Sequence, residues 1–287
     1  MTIEDLAQRF LRIRRKRIRQ FLGETFGSFF LAVIGIAGAH QGLYGETSSV
    51  HGAICGGLGV AIGIYVCVGS SGGHVNPAVT TYAALSGRLG NGIIENLGGF
   101  CIYVAGQIFG MFLAASVVYG VFNGQSYNGV ENQDLVCLFA TCPTEDIKLS
   151  TGEMFFDQII GTMILVTLIA AITDEKNLMP NAANPLLIGL TATAIGLAYG
   201  NHGGGAINPA RDLGPRLFAA MVLGDVAFSG IEDTNSEFFF WIPLLAPLIG
   251  GAIGGLLYLL FVRAHWEEDK TAVSPEKEET FENEFGL

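Results

Sequence analysis

The sequence predicts an all-α membrane protein built from six transmembrane helices and two re-entrant half-helices, arranged as an inverted repeat. Three observations carry that reading. Half of the 287 residues are hydrophobic and only 14% are charged, a balance foreign to water-soluble domains. Six apolar stretches are each long enough to cross about 30 Å of hydrocarbon, which takes about 20 residues of helix. Two shorter apolar stretches each open on Asn-Pro-Ala after a glycine-rich loop, at matched places in the two halves.

In chain order, residues 1–20 form a basic segment, with seven Lys/Arg between Arg9 and Arg19. It reads as a topology signal on a solvated segment, and contact with anionic lipid headgroups is the other reading. It is too long and basic, and the run after it lacks a small-residue cleavage pattern, so a cleavable signal is not expected and the first span is expected to stay in place. A first repeat occupies residues 21–122, with spans at 21–43, 50–70 and 99–122 and a half-helix at 77–85. A connecting loop covers 123–152. The second repeat occupies 153–262, with spans at 153–173, 185–200 and 238–262 and a half-helix at 209–222. An acidic tail, 263–287, follows; it is poor in apolar residues and is expected to be disordered.

Lys and Arg are absent from the loops at 40–49 and 219–237, and Lys148 stands alone in the loop at 123–152. Arg88, Lys176 and Arg263 fall on the side of the basic amino-terminal segment. By the positive-inside rule that side is cytoplasmic, both termini lie there, and the 123–152 loop is extracellular. Abundant glycine, 40 residues, suits helices that pack closely in lipid. Of the five cysteines, only Cys137 and Cys142 lie in a polar loop where they can plausibly pair, and none has metal-ligand spacing.

The duplicated motifs carry the mechanism. The first reads Ser71-Gly72-Gly73-His74-Val75-Asn76-Pro77-Ala78, and the second reads Gly203-Gly204-Gly205-Ala206-Ile207-Asn208-Pro209-Ala210-Arg211. Asn is a strong N-cap and Pro suits the first helical position, so each triplet starts a helix. One copy is a simple cap. Two copies inside the membrane of an inverted repeat point to a pore, because non-helical backbone survives at that depth only where protein or a water-filled cavity satisfies it. Two facing helix N-termini put partial positive charge between them, and the carboxamides of Asn76 and Asn208 can donate to a passing oxygen.

Arg211, beside the second triplet, is expected to face a cavity or a partner; an ion pair with Asp212 is the alternative, and both can hold. Glu24 lies 52 residues before Asn76, and Asp157 lies 51 before Asn208. Both are read as scaffold rather than proton carriers, accepting backbone N–H groups of the adjoining loops. His74 is of a type that titrates near neutral pH; a packed loop histidine and a gate are the two readings of it.

Together these motifs resemble the aquaporin (major intrinsic protein) family across the whole transmembrane region. The run Arg211-Asp212-Leu213-Gly214-Pro215-Arg216 and Pro243-Leu244 look like its glycerol-conducting branch. The resemblance implies an aquaporin-like fold and a passive channel for water, glycerol, urea and other small neutral solutes that excludes ions and protons, as half-helix dipoles and an arginine do in pores of this type. It further implies a homotetramer in a lipid bilayer, the plasma membrane, and a selectivity filter at Gly56, Gly196, Gly205 and Arg211. Three glycines depart from the better-known filter, where an aromatic stands at the place of Gly56 or Gly205, and predict a wide, weakly discriminating opening. A water-selective channel, a non-conducting junction or adhesion protein reusing the fold, and a proton-coupled transporter are the alternatives. No enzymatic constellation, cofactor, metal or nucleic-acid partner is expected.

Overall fold

A computed structural model describes residues 2–45, 48–123, 127–143, 149–200, 202–229 and 239–267. Lys148, residues 230–237 of the loop expected before the sixth span, residue 238 at the expected start of that span, and the acidic tail from 268 onward lie outside the described residues. The described residues form α-helices and short 3₁₀ turns, with no strand among them. Among the described residues, six helices are long and apolar enough to cross a membrane.

Among the described residues ten α-helices follow one another: α1 (Ile3–Leu11), α2 (Lys16–His40), α3 (Ser49–Ser71), α4 (Pro77–Leu85), α5 (Ile93–Phe122), α6 (Asn132–Phe139), α7 (Thr151–Ile172), α8 (Asn184–Tyr199), α9 (Pro209–Leu223) and α10 (Ile242–Phe261). The six spans are α2, α3, α5, α7, α8 and α10. The half-helices are α4 and α9, and both begin at the proline of an Asn-Pro-Ala triplet. Two helices go beyond the sequence reading. Helix α1 lies in the basic segment, where a Thr2–Asp5 capping box starts it, and α6 lies in the connecting loop.

The inverted repeat shows in who touches whom. In the first half α2 packs on α3 and α5; in the second α7 packs on α8 and α10; α3 and α8 join the halves. Each half-helix packs on the last span of the other half, α9 on α5 and α4 on α10, so the halves interlock. Glycines set the same spacing twice. A Cβ on Gly106 or Gly110 of α5 would lie 2.7 or 2.1 Å from the Phe21 or Thr25 carbonyl oxygen of α2. On α10, a Cβ on Gly250 or Gly254 would likewise lie 2.5 or 2.4 Å from the Ile159 or Met163 carbonyl oxygen of α7. Only a residue without a side chain lets these backbones meet.

Polarity is reversed relative to a water-soluble fold. Glu24, Gln107, Gln158, Thr162, Asp212 and Arg216 are buried, while Phe109, Phe156, Leu168, Leu256 and Leu260 are exposed on the outer surface. An exterior of this kind suits hydrocarbon as its solvent, and the buried polar groups must then find partners within the protein.

Candidate pore

The two triplets build matching corners. Asn76 and Asn208 adopt extended backbone, and their side-chain oxygens accept the first free N–H groups of their half-helices: Ala78 at 2.8 Å, and Ala210 and Arg211 at 3.1 and 3.2 Å. Pro77 and Pro209 follow at the first helical position, where a missing N–H costs nothing. The residue before each asparagine is β-branched yet left-handed, with φ of 46° at Val75 and 40° at Ile207. Such residues rarely adopt that conformation, and the surrounding structure has to hold it.

What that strain accomplishes is visible in the hydrogen bonds. The Asn76 Nδ2 donates to the Ile207 carbonyl and the Asn208 Nδ2 to the Val75 carbonyl, both at 2.9 Å. Each half-helix start is thus tied to the loop of the other half. A carboxamide has two N–H groups, so each asparagine keeps a second donor, and both residues line the central cavity.

Buried side chains on the opening span of each half hold the two loops. Glu24 of α2 accepts from the Ser71 hydroxyl (2.6 Å), the His74 and Val75 N–H groups (3.1 and 2.8 Å) and the Gln107 amide (2.7 Å). Gln107 also donates to Thr80, whose hydroxyl in turn meets His74 Nδ1 at 3.2 Å. His74 stacks against the Tyr103 ring, with centroids 4.6 Å apart.

On α7 the structure puts Gln158, rather than Asp157, in the place corresponding to Glu24. Gln158 accepts from the Ile207 N–H at 3.0 Å and donates to the Gly203 carbonyl at 2.7 Å. Asp157 also meets this loop, accepting from the Gly203 backbone N–H as its spacing led one to expect, and it lies 3.4 Å from His202. The neighbouring amide escaped the sequence reading because the charged residue was the louder signal, although a polar amide in an apolar span is an equally costly feature.

Arg211 and Asp212 part company. Asp212 pairs with Arg216 one turn on, at 2.7 Å to Nε, and accepts from the Thr141 backbone N–H at 3.0 Å and from the Thr141 hydroxyl. Arg216 also donates to the carbonyls of Ala227 and Thr141, so this buried pair is fully engaged. Arg211 donates to the Phe139 carbonyl at 2.8 Å and makes no ion pair among the described residues. Phe139 ends α6 and Thr141 follows it, and both lie in the loop closed by a disulfide between Cys137 and Cys142.

One cavity of about 1310 Å³ is lined by His74, Asn76, Asn208, Arg211 and Thr141 among these groups. Near one end it is lined by Gly52, Ala53, Asp134 and Thr141; near the other by Tyr82, Arg88, Thr173 and Asn181. The four expected filter positions, Gly56, Gly196, Gly205 and Arg211, all line it, as do His74, Asn76 and Asn208. The glycines are not alike. A Cβ on Gly56 would meet nothing within 4 Å, whereas one on Gly196 would press on Ala53 at 3.1 Å, and Gly205 has a φ of 57° and lies against Gly200. Among the described residues, no cluster of His, Cys, Asp and Glu able to hold a metal ion is present.

Backbone drawn into the interior of a six-span bundle from both ends, satisfied there and lining a cavity, is the build of a pore; the class is that of multi-pass membrane channels. Residues 12–258 match the major intrinsic protein (MIP) family. The chain is 36% identical over 281 residues to aquaporin-9 of Homo sapiens, covering 92% of this chain and 90% of that protein. It is 34% identical to aquaglyceroporin-2 of Rhizophagus irregularis, covering 84% of this chain and 76% of that one. The X-ray structure of the aquaglyceroporin from Plasmodium falciparum superposes with a TM-score of 0.76 at 28% identity, over 86% of this chain and 98% of that one. The chain therefore belongs to the major intrinsic protein family, a family of channels rather than enzymes.

Proposed function

We propose that the cavity beside Asn76, Asn208 and Arg211 conducts water, glycerol and other small uncharged solutes, urea among them, down their gradients and holds back ions and protons. Family, fold and site agree on a channel for water and glycerol. The observation that carries the mechanism is the crossed pair of bonds from Asn76 to Ile207 and from Asn208 to Val75. It brings two helix N-termini together at one point of the cavity, where their dipoles oppose a cation and the spare amide N–H groups receive a solute oxygen. Arg211, free of Asp212, adds a fixed positive charge at the cavity wall. The wider solute range rests on Gly56, beside which the cavity has room for a side chain.

The basic amino-terminal segment supports an orientation with both termini cytoplasmic. The Cys137–Cys142 disulfide supports the same one, since it puts α6 on the oxidising side. Residues 21–122 and 153–262 then act as the two channel repeats. The plasma membrane as host and a homotetramer with one pore per chain complete the reading, as the family resemblance implies.

Proteoliposome swelling with water, glycerol, urea and larger polyols tests it, with a parallel measurement of ion leak. Wild-type vesicles are expected to pass glycerol and urea without added ion conductance. Gly56→Trp, where the new side chain enters open space, should cut glycerol passage by roughly tenfold or more relative to water, the scale at which the shape of a pocket separates solutes of unlike size. Equal losses for both solutes would remove Gly56 from the filter. Glycerol-tight wild-type vesicles would overturn the proposal.

A further inference from the structure

Among the described residues, the amino-terminal helix α1 lines no part of the cavity. At 100° per residue, Ile3, Leu6, Phe10 and Leu11 of α1 fall within an arc of about 140° that holds no polar side chain, while Glu4, Asp5, Gln8, Arg9 and Arg12 occupy the rest of the circle. That apolar face is bare: Ile3 is 87% exposed, Phe10 71% and Leu11 74%. The helix is nonetheless well made, since Thr2 and Asp5 cap it reciprocally, at 2.7 and 3.1 Å. The Thr2 bonds, that from its backbone first, hold the Asp5 carboxyl below its ordinary value. The capping box is therefore present at neutral pH and is lost only as the pH falls through that lowered value.

Two further features say what covers the face. Residues 12–15 are all that separate α1 from the first span, and four residues reach about 14 Å at most, so α1 cannot leave the neighbourhood of the bilayer surface. Around that joint the chain carries seven Lys/Arg, from Arg9 to Arg19, against two acids in the first turn of α1. A segregated apolar face with basic residues beside it is the pattern of a helix lying in the plane of a membrane interface, and several basic groups close to the surface favour anionic headgroups.

We propose that α1 is a lipid-binding element: it lies in the interface beside the channel, its Ile3–Leu6–Phe10–Leu11 face among the upper acyl chains and its arginines on anionic headgroups. The full-length chain tests this. Phe10→Trp in a background of Trp241→Phe and Trp266→Phe is reconstituted into vesicles of phosphatidylcholine with or without phosphatidylglycerol, using lipids brominated near the headgroup or near the chain end. The expected result is quenching by the shallow bromines, about twofold stronger in the anionic vesicles, reduced by salt and by R12Q/R14Q/R15Q. Glycerol flux should be unchanged, since none of these side chains lines the cavity. The unsubstituted chain supplies a second readout: amide exchange over residues 3–11 should slow on moving from zwitterionic to anionic nanodiscs. An unquenched tryptophan together with equal exchange in the two nanodiscs would overturn the proposal, whether the face then meets water, the acidic tail or another protein.

Discussion

The loop that leads to Asn76 and the loop that leads to Asn208 reach the same geometry by different chemistry. Both place a β-branched residue in the left-handed region, both start a helix with Asn-Pro-Ala, and each asparagine reaches across to the other loop. The first loop is held by a carboxylate, Glu24, on which four donors converge. The second is held by an amide, Gln158, which takes one N–H and gives one to a carbonyl. A carboxylate can only accept, so it suits a loop that turns its donors inward; an amide suits one that presents a donor and an acceptor. The repeat thus constrains where the backbone goes and leaves open which side chain keeps it there.

The largest effect follows from removing the carboxylate. Glu24→Ala would leave the His74 and Val75 N–H groups and an amide hydrogen of Gln107 without their acceptor in a buried site, while the Ser71 hydroxyl can turn to the Cys67 carbonyl. Each such orphan costs roughly 1–3 kcal/mol. The expected outcome is loss of most folded protein, read as monodisperse yield from detergent and as thermal unfolding. Glu24→Gln sharpens the comparison. Oε1 and Oε2 each receive two donors, so whichever way the amide turns, its NH₂ faces two of them. Near-wild-type stability of Glu24→Gln would mean that the two braces are interchangeable, and the contrast would fail.

A smaller loss is expected from Gln158→Ala. It strands one donor, the Ile207 N–H, and one acceptor, the Gly203 carbonyl, fewer groups than on the other side. Stability should fall by roughly 2–6 kcal/mol, measured as the unfolding shift relative to Glu24→Ala. Because Ile207 also supplies the carbonyl that Asn76 uses, glycerol flux per folded channel should drop as well. A full-stability variant with unchanged flux would show that the Asn76–Ile207 bond alone positions the second loop.

Much of this fold was legible in the sequence, and the misses have physical causes. Long apolar runs and the Asn-Pro starts located six spans and both half-helices, α4 to the residue at each end, because these features depend on local composition. Helix α1 was hidden because its apolar residues are interleaved with the charges that made the segment read as solvated. Helix α6 was hidden in a polar loop, although its buried Leu135, Val136 and Phe139 form a short apolar cluster. The Asp212–Arg216 pair lies at i,i+4 spacing, where a helix brings opposite charges together, and that signal was overlooked in favour of the adjacent Arg211. Gln158 shows the other limit: a match by spacing is good to a residue or so, and one residue on a helix turns the side chain by 100°.

The smallest effect belongs to the pair that stands where the second brace was expected. His202 and Asp157 meet at 3.4 Å, but the histidine side chain is 44% exposed, and water competes for such a pair and screens it. The Asp157 side chain is only 6% exposed but keeps the Gly203 N–H, so His202→Ala should cost about 1–2 kcal/mol, between an exposed pair and a stranded buried group. Thermal unfolding of this variant beside Gln158→Ala decides whether adjacency to the loop or hydrogen bonding to its backbone matters. If His202→Ala proved the more damaging, the second loop would be held by charge like the first, and the asymmetry between the halves would lie in the placement of the acid rather than in its replacement by an amide.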